Sequence, residues 1–241
     1  MKTVLITGAT RGIGASIATI FAKNNYNLIL NYYNGTENAI KFKELLEKEY
    51  NANVLLIKAD ISKEEDVIRL LDESINKFGS IDILINNAGI SIDTTIEDKT
   101  VDNFKRILDV NLIGPFLTCK YIGKKMYENK SGSIVNISSD NSIDSYYPES
   151  MDYDSSKAGL NILTKDFAKL YSPYVLVNAI APGWVNTDMN KDITLDYKKD
   201  IEKNILLNRF ASPDEIAKVV YFVSSEATYI NGEVIKVDGG K

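Results

Sequence analysis

Seven short runs of aliphatic and β-branched residues recur along this chain, with longer amphipathic stretches between them. The runs fall at residues 3–6, 28–30, 54–57, 81–85, 134–137, 175–177 and 234–237. They are nearly continuous in apolar character rather than alternating, as strands buried on both faces of a parallel sheet must be. Helical patterns occupy 13–23, 37–49, 64–77, 101–127, 156–170 and 213–224. Strand and helix alternate to the end, which predicts one doubly wound Rossmann-type α/β domain over 1–241, with about seven parallel strands and helices on both faces. No linker, low-complexity tract or internal repeat interrupts it.

Composition narrows the chemistry. The chain has no histidine, so Ser-His-Asp and Cys-His nucleophiles and HExxH or Cys/His zinc sites are excluded, and no metal site is expected. Proton transfer is left to Tyr, Lys, Asp, Glu or the single Cys119. One cysteine forms no internal disulfide and suits a reducing cytosol, so the expected location is cytoplasmic. A net charge of −5 argues against a nucleic-acid partner. No apolar run approaches the ~18 residues of a membrane span, and the N-terminus does not read as a signal peptide.

The first strand enters Thr7-Gly8-Ala9-Thr10-Arg11-Gly12-Ile13-Gly14 and then a helix. Glycines permit a tight turn and close backbone approach, and a helix N-terminus offers unpaired N–H groups to a phosphate. The spacing Gly-x3-Gly-x-Gly differs from the generic Gly-x-Gly-x-x-Gly fingerprint, and a turn serving only packing has the same local pattern. Further on stand Asn86-Asn87-Ala88-Gly89 after the fourth strand, Asn111 in a long helix and Ser139 after the fifth strand. Tyr153-x3-Lys157 opens the next helix, and Pro182-Gly183 follows the sixth strand.

This ordered set, spanning the whole chain, resembles the classical short-chain dehydrogenase/reductase family, and most of all its bacterial 3-oxoacyl-(acyl-carrier-protein) reductases. The resemblance implies an oxidoreductase that reduces a ketone to a secondary alcohol by hydride transfer, with tyrosine as proton donor. It implies catalytic roles for Asn111, Ser139, Tyr153 and Lys157. It also implies cofactor contacts from Gly8, Thr10, Arg11, Gly12, Ile13, Gly14, Asn31, Asp60, Ile61, Asn87, Ala88, Gly89, Tyr153, Lys157, Pro182, Gly183, Val185 and Thr187. Within that set Asp60 and Ile61 correspond to the adenine site, Asn87 and Gly89 to the ribose side, and Thr187 to the nicotinamide amide; Asn86 reads as structural. Relatives are homodimers or homotetramers.

The dinucleotide is read from the second strand. It ends in Asn31-Tyr32-Tyr33-Asn34 with no acid before Glu37, whereas NAD binding favours a carboxylate near that point. With Arg11 in the phosphate loop, the pattern points to NADP(H) over NAD(H). A second basic group directly after the strand is missing.

Tyr and Lys at i, i+4 share a helix face. A phenol has a reference pKa of about 10, and a neighbouring ammonium favours the phenolate. Chance alone gives about one Tyr-x3-Lys pair in this composition, and two occur. Tyr121-x3-Lys125 lies among Lys120 and Lys124 with no strand-end hydroxyl before it and reads as a solvated face. Tyr153-x3-Lys157 follows Ser139 by one loop. Ser138 and Ser139 point to opposite sides if the strand continues. The family's Asn-Ile-x-Ser ending selects Ser139, leaving Ser138 structural. Asn111 is expected to kink its helix or to bind a water linking Lys157 to solvent.

The substrate is less constrained. Residues 186–209 form the longest stretch without a strand and read as short helices; 190–209 is expected to be a substrate lid, or an insertion that packs on the core. Asp140, Asp144, Glu149, Asp152 and Asp154 surround the catalytic tyrosine in sequence; at the cleft mouth they would repel an acidic carrier protein, and otherwise they are a solvated surface. Residues 170–177 lack the basic residue that carrier-protein reductases use for docking, for which Lys124, Lys125 and Lys130 could substitute. Tyr146, Tyr147 and Met151 read as a partly apolar pocket wall or as subunit contacts. The favoured partner is a small-molecule or acyl-thioester substrate, with acyl carrier protein as its carrier. The alternatives are a sugar or polyol dehydrogenase of the same family, and a non-catalytic dinucleotide sensor.

Overall fold

The computed structural model describes residues 1–144, 147–190 and 193–241. Seven strands form one sheet, in chain order β1 (Thr3–Ile6), β2 (Asn27–Tyr32), β3 (Val54–Lys58), β4 (Ile83–Asn86), β5 (Gly132–Ile137), β6 (Val175–Pro182) and β7 (Val234–Val237). Their spatial order is β3-β2-β1-β4-β5-β6-β7, and every pairing is parallel. The helices are α1 (Gly12–Lys23), α2 (Thr36–Tyr50), α3 (Glu64–Phe78), α4 (Val101–Leu108), α5 (Gly114–Thr118), α6 (Lys124–Glu128), α7 (Met151–Tyr171), α8 (Leu195–Lys203) and α9 (Pro213–Tyr221).

Successive strand residues face opposite layers, which explains why the runs are apolar throughout. Val4 and Ile6 join Ile17 and Phe21 of α1 and Ile216 and Val220 of α9 in one core cluster. Leu5, between them, joins Ile29, Leu84, Ile134 and Phe167 on the other face. Each fully buried leucine or isoleucine contributes about 1.5–3 kcal/mol, so both faces must be covered.

Three helices differ from the periodicity by more than one residue. The expected helix 101–127 is one helical run broken into α4, α5 and α6 by π turns at Asp109–Ile113 and Cys119–Gly123. The helix expected to end at 224 ends as α9 at Tyr221 and passes into a third π turn, Phe222–Glu226. Apolar periodicity does not register such widened turns, which place side chains one residue out of α phase. The helix that the apolar pattern put at 156–170 starts at Met151, behind a 3-10 turn at Pro148–Ser150. Asp152 and Asp154 in its first turn complement the helix dipole and extend it where the apolar pattern is silent.

The order of chain connections reverses between β1 and β4, which opens a crevice at the carboxyl ends of these strands. All the groups described below converge there.

Candidate active site

A cleft of about 950 Å³ lies in that crevice. It is lined by every cofactor or catalytic candidate read from the sequence except Asn111. At its phosphate end Gly8 has φ +60°, a conformation that suits glycine, and a Cβ there would stand 2.9 Å from the Ala88 backbone. A Cβ on Gly14 would meet the Gly8 carbonyl at 2.3 Å and Asn87 Nδ2 at 2.6 Å. Arg11 precedes α1 as its N-cap and makes no side-chain cap, so the first N–H groups of the helix keep that demand for an anion. These close approaches and this open helix end fit a dinucleotide diphosphate.

Several candidates serve the loop more than the cleft. Thr7 Oγ1 accepts from the backbone N–H groups of Asn87 and Ala88, both at 3.0 Å. Asn87 Nδ2 donates to the carbonyls of Thr7 and Gly8. Asn31 is buried; its Oδ1 accepts from the Gly8 N–H, and its amide donates to the Ala59 carbonyl at 3.0 Å. Asn31 and Asn87 therefore border the cleft with their side-chain amides already engaged. Asn86 is buried between Asn136, Thr118 and Cys119, matching its structural reading.

Asp60 lines the cleft with a partner the sequence did not reveal. Arg106, from α4, donates to Asp60 Oδ2 at 3.2 Å and to Ser62 Oγ at 2.9 Å, and lies 5.8 Å above the Tyr33 ring. Burial alone would raise the Asp60 carboxyl, but hydrogen bonds from Ser62 and Arg106 outweigh it and hold the carboxyl below its usual range. Arg106 stands 46 residues from Asp60, and nothing in local spacing marks the pair.

The catalytic candidates meet on β5, α7 and the first π turn. Ser139 Oγ accepts from the Asn141 N–H at 3.2 Å, and Ser139 and Tyr153 line the same cleft. Ser138 turns toward α7, donating to Asn161 Oδ1 at 2.7 Å, so the two serines divide as strand alternation requires. Lys157 is buried, donates to the Ile137 carbonyl at 2.7 Å and lies 5.6 Å from the centre of the Tyr153 ring. Asn111 sits within the Asp109–Ile113 π turn, where its amide accepts from the Ile90 N–H and donates to the Ile90 carbonyl and Ser156 Oγ. It stays off the cleft surface, yet its Oδ1 and Lys157 Nζ would both lie 3.4 Å from a Cβ built on Gly89.

One electrostatic expectation is reversed. Burial pushes the Tyr153 hydroxyl up to about 12; the Ser139 bond opposes the rise, and the charges of Asp140, Asp154 and Asp93 add to it. Burial likewise brings the Lys157 ammonium down to about 8. In this structure desolvation is the largest influence on the phenol and favours its neutral form. The rival pair separates clearly: Tyr121 hydrogen-bonds Glu64, as Lys120 does, at a helix surface.

The acidic loop also departs from expectation. Asp140, Asp152 and Asp154 are buried, and only Asp144 and Glu149 of the five are exposed. Asp152 pairs with Lys99 at 2.9 Å, Asp140 pairs with Lys241 at 3.1 Å, and Asp154 accepts from Asn141 Nδ2 at 3.0 Å. These three are not a solvated surface: Lys99 and Lys241 reach two of them from distant elements, and Asn141 reaches the third from the turn after Ser139. Tyr147 packs edge-on against Trp184 at 5.7 Å, while Tyr146 lies outside the described residues. Lys191 and Asp192 of the expected lid also lie outside them. Of that stretch, Asn190 lines the cleft and Leu195–Lys203 is helical.

Comparison with known proteins accords with this geometry. A family model described as enoyl-(acyl carrier protein) reductase matches residues 8–241. The 3-oxoacyl-(acyl-carrier-protein) reductase FabG of Aquifex aeolicus is 39% identical over 241 residues, which cover 99% of this chain and 96% of the relative. Glucose 1-dehydrogenase 2 of Bacillus subtilis is 33% identical over 244 residues, 99% of this chain and 94% of the relative. The solved structure of ElxO with NADP bound superposes with a TM-score of 0.91 at 30% identity, covering 99% of this chain and 97% of that one. By its sheet order, its glycine cradle and this full-length similarity, the chain belongs to the short-chain dehydrogenase/reductase family and is an oxidoreductase.

Proposed function

We propose that the protein is an NADPH-dependent reductase that converts a ketone to a secondary alcohol, and specifically a 3-oxoacyl-(acyl-carrier-protein) reductase. The observation that carries the reading is the convergence of Ser139, Tyr153 and Lys157 on one cleft, with buried Lys157 5.6 Å from the centre of the Tyr153 ring. Bound nicotinamide supplies the hydride. Ser139 and Tyr153 hold the carbonyl oxygen, and Tyr153 delivers the proton that oxygen needs as its carbon is reduced. Lys157 helps hold the nicotinamide ribose, and as an ammonium stabilises the phenolate left behind. Asn111 fixes the Ile90 backbone and α7 around that lysine.

Among the described residues, the only carboxylates lining the cleft are Asp60 and Asp188, and Asp60 is held by Arg106. Arg11 is exposed in the cleft, and β2 ends at Tyr32 with no acid before Glu37, which favours NADPH. Arg11→Ala is expected to raise the KM for NADPH about tenfold, the worth of one charge-assisted hydrogen bond, and to leave the KM for NADH unchanged. A wild-type preference for NADH overturns the cofactor reading.

The carrier-protein substrate gains support from the buried acids, whose charge is not presented to an approaching anionic partner. Lys124, Lys125 and Lys130 are exposed, and Lys130 lies 5.8 Å above the Tyr174 ring, beside the segment that lacks its own cation. The relative in Aquifex aeolicus carries this activity in its name. Similarity to glucose 1-dehydrogenase 2 favours a sugar or polyol substrate as the second reading. A cytoplasmic homotetramer or homodimer completes the proposal, supported by exposed apolar Ile113, Phe116 and Ile162 and by the buried free thiol of Cys119. Among the described residues, no helix is long and apolar enough to cross a membrane. Purified protein is expected to oxidise NADPH in the presence of acetoacetyl-coenzyme A, read as the loss of NADPH absorbance. Tight NADPH binding without oxidation, together with turnover of glucose, would move the assignment to the second reading.

A further inference from the structure

The last turn of the chain packs behind the cleft, against the loop that follows β6 and carries Gly183 and Val185 to its lining. Gly183 N–H donates to the Val237 carbonyl at 3.0 Å, tying β7 to the loop after β6. Asp238 accepts from the N–H groups of Gly240 and Lys241 and pairs with Lys236. Gly239 and Gly240 have φ +72° and +86°, and their carbonyls accept from Leu207 and Leu206 N–H. A Cβ at Gly240 would lie 2.7 Å from Leu206, so turn and lid segment fit closely.

This framework delivers one side chain. Lys241 is only 8% exposed at its side chain, and its Nζ stands 3.1 Å from Asp140 Oδ2, itself 5% exposed. The same ammonium lies 5.1 Å from the Tyr147 ring centre and 5.9 Å from that of Trp184. Asp140 is the neighbour of Ser139, whose Oγ lies 3.3 Å from Asp140 Oδ1. Trp184 follows Gly183, which lines the cleft, and stacks on Phe210 at 5.2 Å.

We propose that Lys241 is a positioning residue for the reductase: its ammonium clamps Asp140 against the Tyr147–Trp184 wall, and so sets the pose of Ser139 and the width of the substrate end of the cleft. A buried carboxylate needs its counter-charge, and an ammonium over two aromatic faces is held in place as well as holding them. The clamp also opposes the Asp140 charge that makes the Tyr153 proton harder to release. It rests on the proposed function insofar as Ser139 and Tyr153 receive the ketone.

The test uses Lys241→Met, Lys241→Arg and Asp140→Asn in the full chain. Lys241→Met is expected to raise the KM for the ketone about tenfold while the KM for NADPH stays within about twofold, and Lys241→Arg to restore most of the difference. Lost folded protein would instead lower kcat and leave both KM values alone. Asp140→Asn combined with Lys241→Met is expected to be no worse than the weaker single variant, since both remove one interaction. Trp184 is the one tryptophan in the sequence, so its emission reports the wall without any turnover. Lys241→Met should shift that emission and open Trp184 to acrylamide quenching. A wild type that binds NADPH but reduces no ketone defeats the functional reading and leaves the clamp to be judged on Trp184. An unchanged ketone KM, or an unchanged Trp184 emission, overturns the clamp.

Discussion

Tyr153→Phe is expected to lower kcat for ketone reduction by a factor of about a hundred to ten thousand while leaving the Kd for NADPH within about twofold, the usual span for losing a general acid. The substitution removes one oxygen and keeps the ring, so the Lys157 ammonium retains the aromatic face 5.6 Å away. What disappears is the hydroxyl that burial holds protonated, its pKa pushed up to about 12. Ser139 and Lys157 then still hold the reactants, but no phenol stands ready to complete the alcohol. The wild-type profile should carry the lysine's signature: Lys157 is charged below about 8 and loses its proton as pH rises through that value, so reduction slows there. Residual turnover of Tyr153→Phe above a few per cent of wild type, on the scale of these effects, would remove Tyr153 from the role of proton donor.

The site was legible wherever chemistry and backbone order coincide in the sequence. A strand followed by glycines and a helix suits a phosphate cradle or a packing turn alike, and the close approaches of Gly8 and Gly14 fall on the cleft at residues 7–14. The choice of Tyr153 over Tyr121 followed from Ser139, one loop upstream, and the two tyrosines are indeed in different company. The division of labour between Ser138 and Ser139 is a property of the strand itself. Legibility ended where partners come from remote elements. Arg106 meets Asp60, Lys99 meets Asp152 and Lys241 meets Asp140 across separations of 46, 53 and 101 positions. Read along the chain, five acids around Tyr153 look like a repulsive surface; folded, three are buried. The π turns escaped for a different reason: each is a single widened turn, and the segments on either side still read as helix.

The Lys99–Asp152 pair is where this long-range pairing matters most for stability. Both side chains are nearly inaccessible, at 4% and 0%, and their 2.9 Å contact joins the loop after β4 to the first turn of α7. Lys99 Nζ also donates to the Ile92 carbonyl, and Asp152 Oδ1 accepts the backbone N–H of Tyr153 at 3.0 Å. Lys99→Met keeps the apolar stem and deletes the ammonium, leaving a carboxylate in the interior without its counter-charge. Removing one partner of such a pair costs about 3–5 kcal/mol. Urea unfolding of Lys99→Met should show a loss of that size, and Lys99→Met with Asp152→Asn should recover a good part of it, because the stranded charge is gone. A single variant within about 0.5 kcal/mol of wild type, the range of an ordinary surface substitution, would mean that the pair contributes nothing net. The kinetic consequence separates the two roles of the acid. In the double variant an asparagine carbonyl can still accept the Tyr153 N–H, so kcat should recover along with stability. If kcat stays low after stability returns, it is the charge of Asp152, rather than its hydrogen bond, that places Tyr153.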